Sequence, residues 1–141
     1  MAFKPGVNSF VLLDNAAGTP TNLTAFADNF SWPQSVDTYD VSVFGTVPKA
    51  SMTGLTDGDT VSMSGPLDVT LHSHLGSLKA VQAAGSSTCT LTWGPAGSVS
   101  GLPKISAECY VSNYSVSAAV GGRVEYSASL QVTGAVTNGT W

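Results

Sequence analysis

Charge is what this chain has least of. Only 10% of its 141 residues are Asp, Glu, Lys or Arg, against roughly 25% in an average soluble domain. Its five cations, Lys4, Lys49, Lys79, Lys104 and Arg123, are scattered along the sequence. Gripping nucleic acid through its phosphates needs clustered cations, so that role is not expected. A surface past which DNA slides would tolerate the formal net charge of −4. Long apolar runs are missing too, and nothing approaches the roughly 20 residues of a membrane span. Met1 is followed by Ala2, Phe3, Lys4, Pro5 and Gly6, which form neither the basic start nor the apolar stretch of a signal peptide. The expectation is a protein made in a cytoplasm and kept there unless something larger carries it out. There are two cysteines, Cys89 and Cys109, each on the apolar face of a predicted strand. Without an export signal, buried free thiols are expected rather than a disulfide; whether the two are close is left open.

What the chain does have is hydroxyl. Ser and Thr make up about a quarter of it, and a hydroxyl that finds a partner costs far less to bury than a charge. This composition favours packing against copies of itself, although a low-charge secreted domain would share it. At 141 residues the chain is long enough for one domain with one core.

The predicted architecture is mainly β, with antiparallel strands in one domain over residues 1–141, one helix lying on the sheet and one long loop. Its organising stretch is a hairpin over residues 104–133. Val124, Tyr126, Ala128, Leu130 and Val132 alternate with polar residues without interruption, the period of a strand with one buried face. Ile105, Ala107, Cys109 and Val111 alternate likewise, but Tyr114, Val116 and Ala118 continue in the other phase, which predicts a bulge near Ser112 and Asn113. Gly121-Gly122 reads as the tight turn. At about 3.4 Å per residue this ribbon approaches about 40 Å, more than so small a core can cover. Part of it is therefore expected to be completed from outside the monomer.

Shorter strands are read at Phe10 to Leu13, Leu23 to Trp32, Tyr39 to Val43, Asp59 to Ser64 and Thr88 to Trp93. Leu71, Leu75 and Leu78 fall at i, i+4 and i+7, which predicts a helix over about 69–84, with Asp68 or Thr70 as N-cap and Gly85 after its end. Thr137 to Trp141 is read as a short tail whose terminal ring docks on its own domain or on a neighbour. Residues 44–58 read as a loop, long for a compact domain. It carries Phe44, Val47, Met52 and Leu55, with Lys49 among them. Docking against a neighbour and folding back on its own domain both account for those apolar side chains.

Chemistry is sparse. His72 and His74 lie at i and i+2, on opposite sides of a helix, so they cannot share a metal ion there. Asp57-Gly58-Asp59 lacks the further ligands of a calcium loop and reads as a turn. Glu108 and Glu125 sit on polar faces of neighbouring strands, where paired carboxylates can hydrolyse glycosides, but no aromatic cluster surrounds them. They read as surface or lumen charges. Asp28, within the aromatic row of Phe26, Phe30 and Trp32, reads as a rim position in preference to a wet channel. No catalytic residue, cofactor or metal is expected.

The run from Ser35 through Tyr39 to Phe44-Gly45, then Lys49 and Gly54-Leu55-Thr56-Asp57-Gly58, resembles the tail tube proteins of long-tailed bacteriophages. The ending is similar to that group's closing strand: Gly122-Arg123-Val124-Glu125-Tyr126, Gln131-Val132-Thr133-Gly134 and Gly139-Thr140-Trp141. The resemblance covers about residues 20–141. It implies an antiparallel β-sandwich or partial barrel with one flanking helix and a long protruding loop, in a virion structural protein that is no enzyme, forms hexameric rings stacked into a hollow tube, and meets other tail or head proteins. DNA would pass through without specific binding, and no membrane is involved. It also implies that the 44–58 loop reaches the adjacent ring. A capsid decoration protein of the same fold is the alternative. A carbohydrate-binding module using Trp32, Trp93 or Trp141 as a platform is a third reading.

Overall fold

A computed structural model describes residues 6–15, 18–45, 48–57, 59–83, 85 and 88–141. Nine strands and one α-helix account for most of them. The strands are β1 (Phe10–Asp14), β2 (Pro20–Asn22), β3 (Asn29–Ser31), β4 (Ser35–Asp40), β5 (Ser51–Asp57), β6 (Thr60–Pro66), β7 (Cys89–Gly94), β8 (Pro103–Ser117) and β9 (Glu125–Thr140). The helix, α1, spans Val69–Ala83. Seven strands form one antiparallel sheet in the order β2-β1-β7-β8-β9-β6-β3, and β4 and β5 form a separate two-stranded sheet. The fold is mainly β with one helix, and the sheet is open, not closed into a barrel.

The sheet nevertheless curls. Phe30 on the last strand meets Trp93 on the third, ring centroids 4.8 Å apart. The segment from Leu23 to Ala27 crosses the remaining gap. Leu23 N–H donates to Val11 C=O, Val11 N–H donates to Thr24 Oγ1, Tyr126 Oη donates to Phe26 C=O at 2.8 Å, and Asp28 N–H donates to Ser64 C=O. The predicted strand Leu23 to Trp32 is thus mostly this crossing, with a 3-10 turn at Thr24–Phe26 and only Asn29–Ser31 extended.

One concave face holds the core. Tyr126, Ala128, Leu130 and Val132 of β9 face inward with Ala107, Cys109 and Val111 of β8 and with Val61 and Met63 of β6. The register slips between Val111 and Asn113, where Ser112 is the extra residue, as the change of phase predicts. Beyond that slip the inner row continues through Tyr114, paired with Ala128, to Val116, which is already half exposed. The ribbon outruns its core at this end.

At the other end β9 continues through Gly134 to Thr140, paired with Pro103 to Ser106, so residues 137–140 are strand, not tail. Gly134, at φ 82°, sits in a second register slip opposite Ala107. A glycine inside a strand marks a bulge as readily as an end. The turn between β8 and β9 is seven residues, Ala118 to Val124, rather than a tight Gly-Gly turn; only Gly121 of its two glycines has positive φ. Trp141 docks on its own domain, edge-on to Phe10 at 5.6 Å and under Lys104 Nζ at 4.8 Å.

The helix seats Leu71, Leu75 and Leu78 in the core, and it packs against β8. Asp68 caps it, its carboxylate accepting Thr70 N–H at 2.9 Å. Asp68→Ala is expected to cost about 1 kcal/mol of stability, read by denaturant unfolding, with assembly unchanged. His74 on the same helix is buried, and its Nε2 has no hydrogen-bond partner among the described residues. Burial pushes its imidazole below the ordinary range, opposed by the Asp14 carboxylate and backbone. The unfolded chain, titrating near pH 6.5, then binds this proton before the folded chain does. Stability from this group is full above about pH 7 and falls as pH drops through 6.5 toward the folded pKa. His74→Leu is expected to flatten that part of the curve when thermal midpoints are measured from pH 7.5 to 5.

Candidate functional site

The two-stranded sheet is an arm. Chain order forces it out of the body, because β4 follows β3 and β5 precedes β6, and β3 and β6 are already hydrogen-bonded to each other. Its root is braced: Ser35 Oγ donates to the Asp59 carboxylate at 3.0 Å, and the Gln34 and Asn138 amides bond reciprocally at 3.1 and 2.9 Å. A groove of about 790 Å³ runs between that root and the far half of β9, lined by Pro33, Val36, Tyr110, Val132, Gly134 and Val136 among others.

The two strands pair from Ser35 opposite Asp57 to Asp40 opposite Ser51, with a register slip between Val36 and Thr38. A Cβ on Gly54 would strike the Tyr39 ring, so this glycine lets the tyrosine lie flat across the ribbon. Toward the tip, Val41 N–H donates to Ala50 C=O, and Ser42 Oγ donates to Ala50 C=O and accepts Ala50 N–H. Asp40 accepts Ser42 N–H at 2.9 Å and pairs with Lys49 Nζ at 3.2 Å. The Ser42 backbone and hydroxyl, then Lys49, hold the Asp40 carboxyl below the usual range. The arm is an ordered structure with its own polar bonds.

Its apolar residues are out in solvent. Phe44 is 109% exposed, Val43 74% and Met52 57%, and Tyr39, Val36 and Val41 are each about half exposed. Among the described residues, none of the core comes from residues 33–60. The predicted 44–58 loop is therefore corrected: its second half, Ser51–Asp57, is strand β5, and the protruding unit begins at Ser35. Of the residues expected to meet a neighbour, Phe44, Lys49 and Met52 lie on this arm and point away from the core. Leu55 lies on β5, but its side chain is outside the described residues, as is Val47.

The acidic residues do not form a site. Glu108 pairs across the ribbon with Thr133 and Glu125 with Ser117, so the two carboxylates are roughly 30 Å apart along the ribbon and cannot act together. Glu108 accepts Thr88 and Thr90 hydroxyls. Asp28 is at the rim, bonded to Arg123 Nη2, and Arg123 Nε donates to Glu125 at 2.7 Å. Donating hydrogen bonds to both carboxylates, Glu125 first, raises the Arg123 guanidinium above its ordinary range. Sequence reading missed this trio because Asp28 and Arg123 are 95 residues apart. Glu108, Glu125 and the hydroxyls Thr60, Ser62, Ser127 and Thr133 share the outer face of the sheet.

The three tryptophans are occupied. Trp32 is buried, Trp93 packs on Phe30 and Trp141 on Phe10 and Lys104, which leaves no open ring for a sugar. His72 Nδ1 is 2.9 Å from Tyr114 Oη. Among the described residues no three His, Cys, Asp or Glu side chains are grouped as metal ligands, and no helix is long and apolar enough to cross a membrane.

No family model matches the chain, and no curated protein matches it. Solved structures do. A chain from the tail of an empty gene transfer agent particle with C6 symmetry superposes at TM-score 0.76 and 12% identity, over 96% of this chain and 98% of that one. A chain from the extended sheath–tube complex of an extracellular contractile injection system gives 0.71 and 12%, over 99% and 93%. The SPP1 tail tube gives 0.64 and 15%, over 99% and 80%. At these identities the likeness establishes the fold, and the fold is that of phage-type tail tubes.

Proposed function

We propose that this chain is a structural, non-enzymatic virion protein, a tail tube subunit that joins side by side into rings which stack into a hollow tube for DNA. The observation that carries this reading is the arm: an ordered hairpin, outside the core, that presents Val43, Phe44 and Met52 to solvent. A monomer gains nothing from such a surface, and a neighbour covers it. The fold shared with tail and tube proteins supports the same reading, and the C6 symmetry of one of them supports rings of six. In this reading Phe44, Val47, Lys49, Met52 and Leu55 contact the adjacent ring. The half-exposed end of β8 from Ser115 to Ser117 lies against the next subunit within a ring, where paired strands remove an open edge.

The outer hydroxyl-rich face, with Glu108, Glu125 and Asp28 as its carboxylates, would then line or flank the lumen. Six copies, each of formal charge −4, repel phosphate, which keeps DNA from adhering during passage. Other tail or head proteins meet the ends of the tube. Negative-stain electron microscopy of the purified protein tests this: long hollow polymers support the tube, and isolated small oligomers point instead to a capsid decoration protein.

A further inference from the structure

We propose that Cys89 and Cys109 form an oxidisable dithiol, a modification site that a peroxide converts into an intrachain disulfide joining β7 to β8. The chain has two cysteines, far apart in sequence, and the fold sets them directly opposite each other in the β7–β8 register. Directly opposed residues of an antiparallel pair have Cα atoms about 4.5–5.5 Å apart, within the range that a disulfide spans. The two Sγ atoms are already 3.8 Å apart, and Cys89 Sγ–H donates to the Cys109 carbonyl at 3.3 Å. Gln82 of α1 holds both sides of the pair. Its Nε2 donates to Cys89 Sγ at 3.5 Å and its Oε1 accepts Val111 N–H at 2.6 Å.

The two thiols are not equivalent. Contact with Cys109, set against burial, favours the thiolate at Cys89, whereas contact with Cys89 and burial raise the Cys109 thiol. Cys89 is also the first residue of β7, next to the exposed Thr88, so opening the last pair of the ladder brings its sulfur to solvent. The Cys89 thiolate attacks one oxygen of hydrogen peroxide, forming Cys89 sulfenic acid and releasing hydroxide. Cys109 sulfur then attacks the Cys89 sulfur. Its proton goes with the departing hydroxyl as water, and the S–S bond forms. In sum two thiols and one peroxide give one disulfide and two waters. The chemistry belongs to the folded chain and does not depend on whether it assembles.

The test is to treat reduced, folded, full-length protein at dilute concentration with hydrogen peroxide, then map peptides by mass spectrometry and measure the thermal midpoint. The expected product has lost the mass of two hydrogen atoms in a Cys89–Cys109 cross-link within one chain. Its midpoint rises by about 5–10 °C and returns to the starting value with dithiothreitol. Cys109→Ala under the same treatment is expected to retain oxygen on Cys89 and to show no rise. Wild-type protein whose thiols both remain alkylatable after treatment, or which accumulates oxygen adducts or interchain cross-links instead, would overturn the proposal. Should Cys109→Ala not fold, the wild-type map and its reversal by dithiothreitol decide alone.

Discussion

Replacing residues 36–56 by a two-residue Asn-Gly turn is expected to abolish polymerisation while leaving a folded domain. The turn joins Ser35 to Asp57, which already face each other in the register of the arm, so the ends need not move. The arm's two strands hydrogen-bond only to each other within the sheets, and none of their described side chains belongs to the core cluster, so the thermal midpoint should shift little. A milder form isolates the contact: Phe44→Asp leaves every described hydrogen bond of the arm in place. Burying a Phe side chain is worth about 1.5–3 kcal/mol, which is roughly 10- to 100-fold in the affinity of each contact. Because a polymer needs that contact at every subunit, the critical concentration for assembly should rise by at least as much. Sedimentation across a concentration series reads it. Tubes of normal yield from the truncated chain would show that the arm is not the joint.

Gly65→Val is expected to be the most damaging single substitution in the body. Gly65 is the next-to-last residue of β6, and a Cβ there would strike the Phe26 carbonyl oxygen and sit 3.1 Å from Asp28 N and 3.2 Å from Ala27 Cα. These are backbone atoms of the segment that crosses the gap in the curled sheet, and they cannot rotate aside as a side chain could. Overpacking typically costs 1–3 kcal/mol. Here the displaced segment also carries the Tyr126–Phe26 and Asp28–Ser64 hydrogen bonds, so about 3 kcal/mol or more is expected from denaturant unfolding. Tyr126→Phe provides the control. It removes one hydrogen bond to the same carbonyl and should cost about 1 kcal/mol. Equal losses from the two variants would mean that the crossing yields easily and is not what closes the sheet.

How far the sequence announced this structure depends on whether burial enforced a pattern. The inner row of β9 from Tyr126 to Val132 and the leucine stripe of α1 could be read directly, because each faces a core that admits only apolar side chains. The bulge at Ser112 was legible for the same reason, as a change of phase in a buried row. Strand β5 was not, because Ser51 to Thr53 are exposed on both faces and no core imposes alternation there; its pairing is decided by β4 alone. The end of β9 was hidden by Gly134, whose positive φ makes a bulge where a strand end had been read. The Asp28–Arg123–Glu125 trio left no local signal, since it is made by the curl of the sheet. What could be read of the candidate interface was its excess of apolar side chains, Phe44 and Met52 above all. That it is a paired hairpin and not a loop emerged only from the register of β4 and β5.

Amide hydrogen exchange of the arm is the most direct measurement of the account, taken once in dilute protein and once at the concentration where polymers form. The amides of Val36 to Asp40 and Ser51 to Asp57, and those of Asn113 to Ser117 on β8, should exchange readily in dilute protein and become protected on assembly, while the amides of Leu130 and Val132 stay slow in both. Identical exchange in the two samples, or an arm already fully protected in a lone compact monomer, would contradict the claim that these surfaces are finished by other copies of the chain.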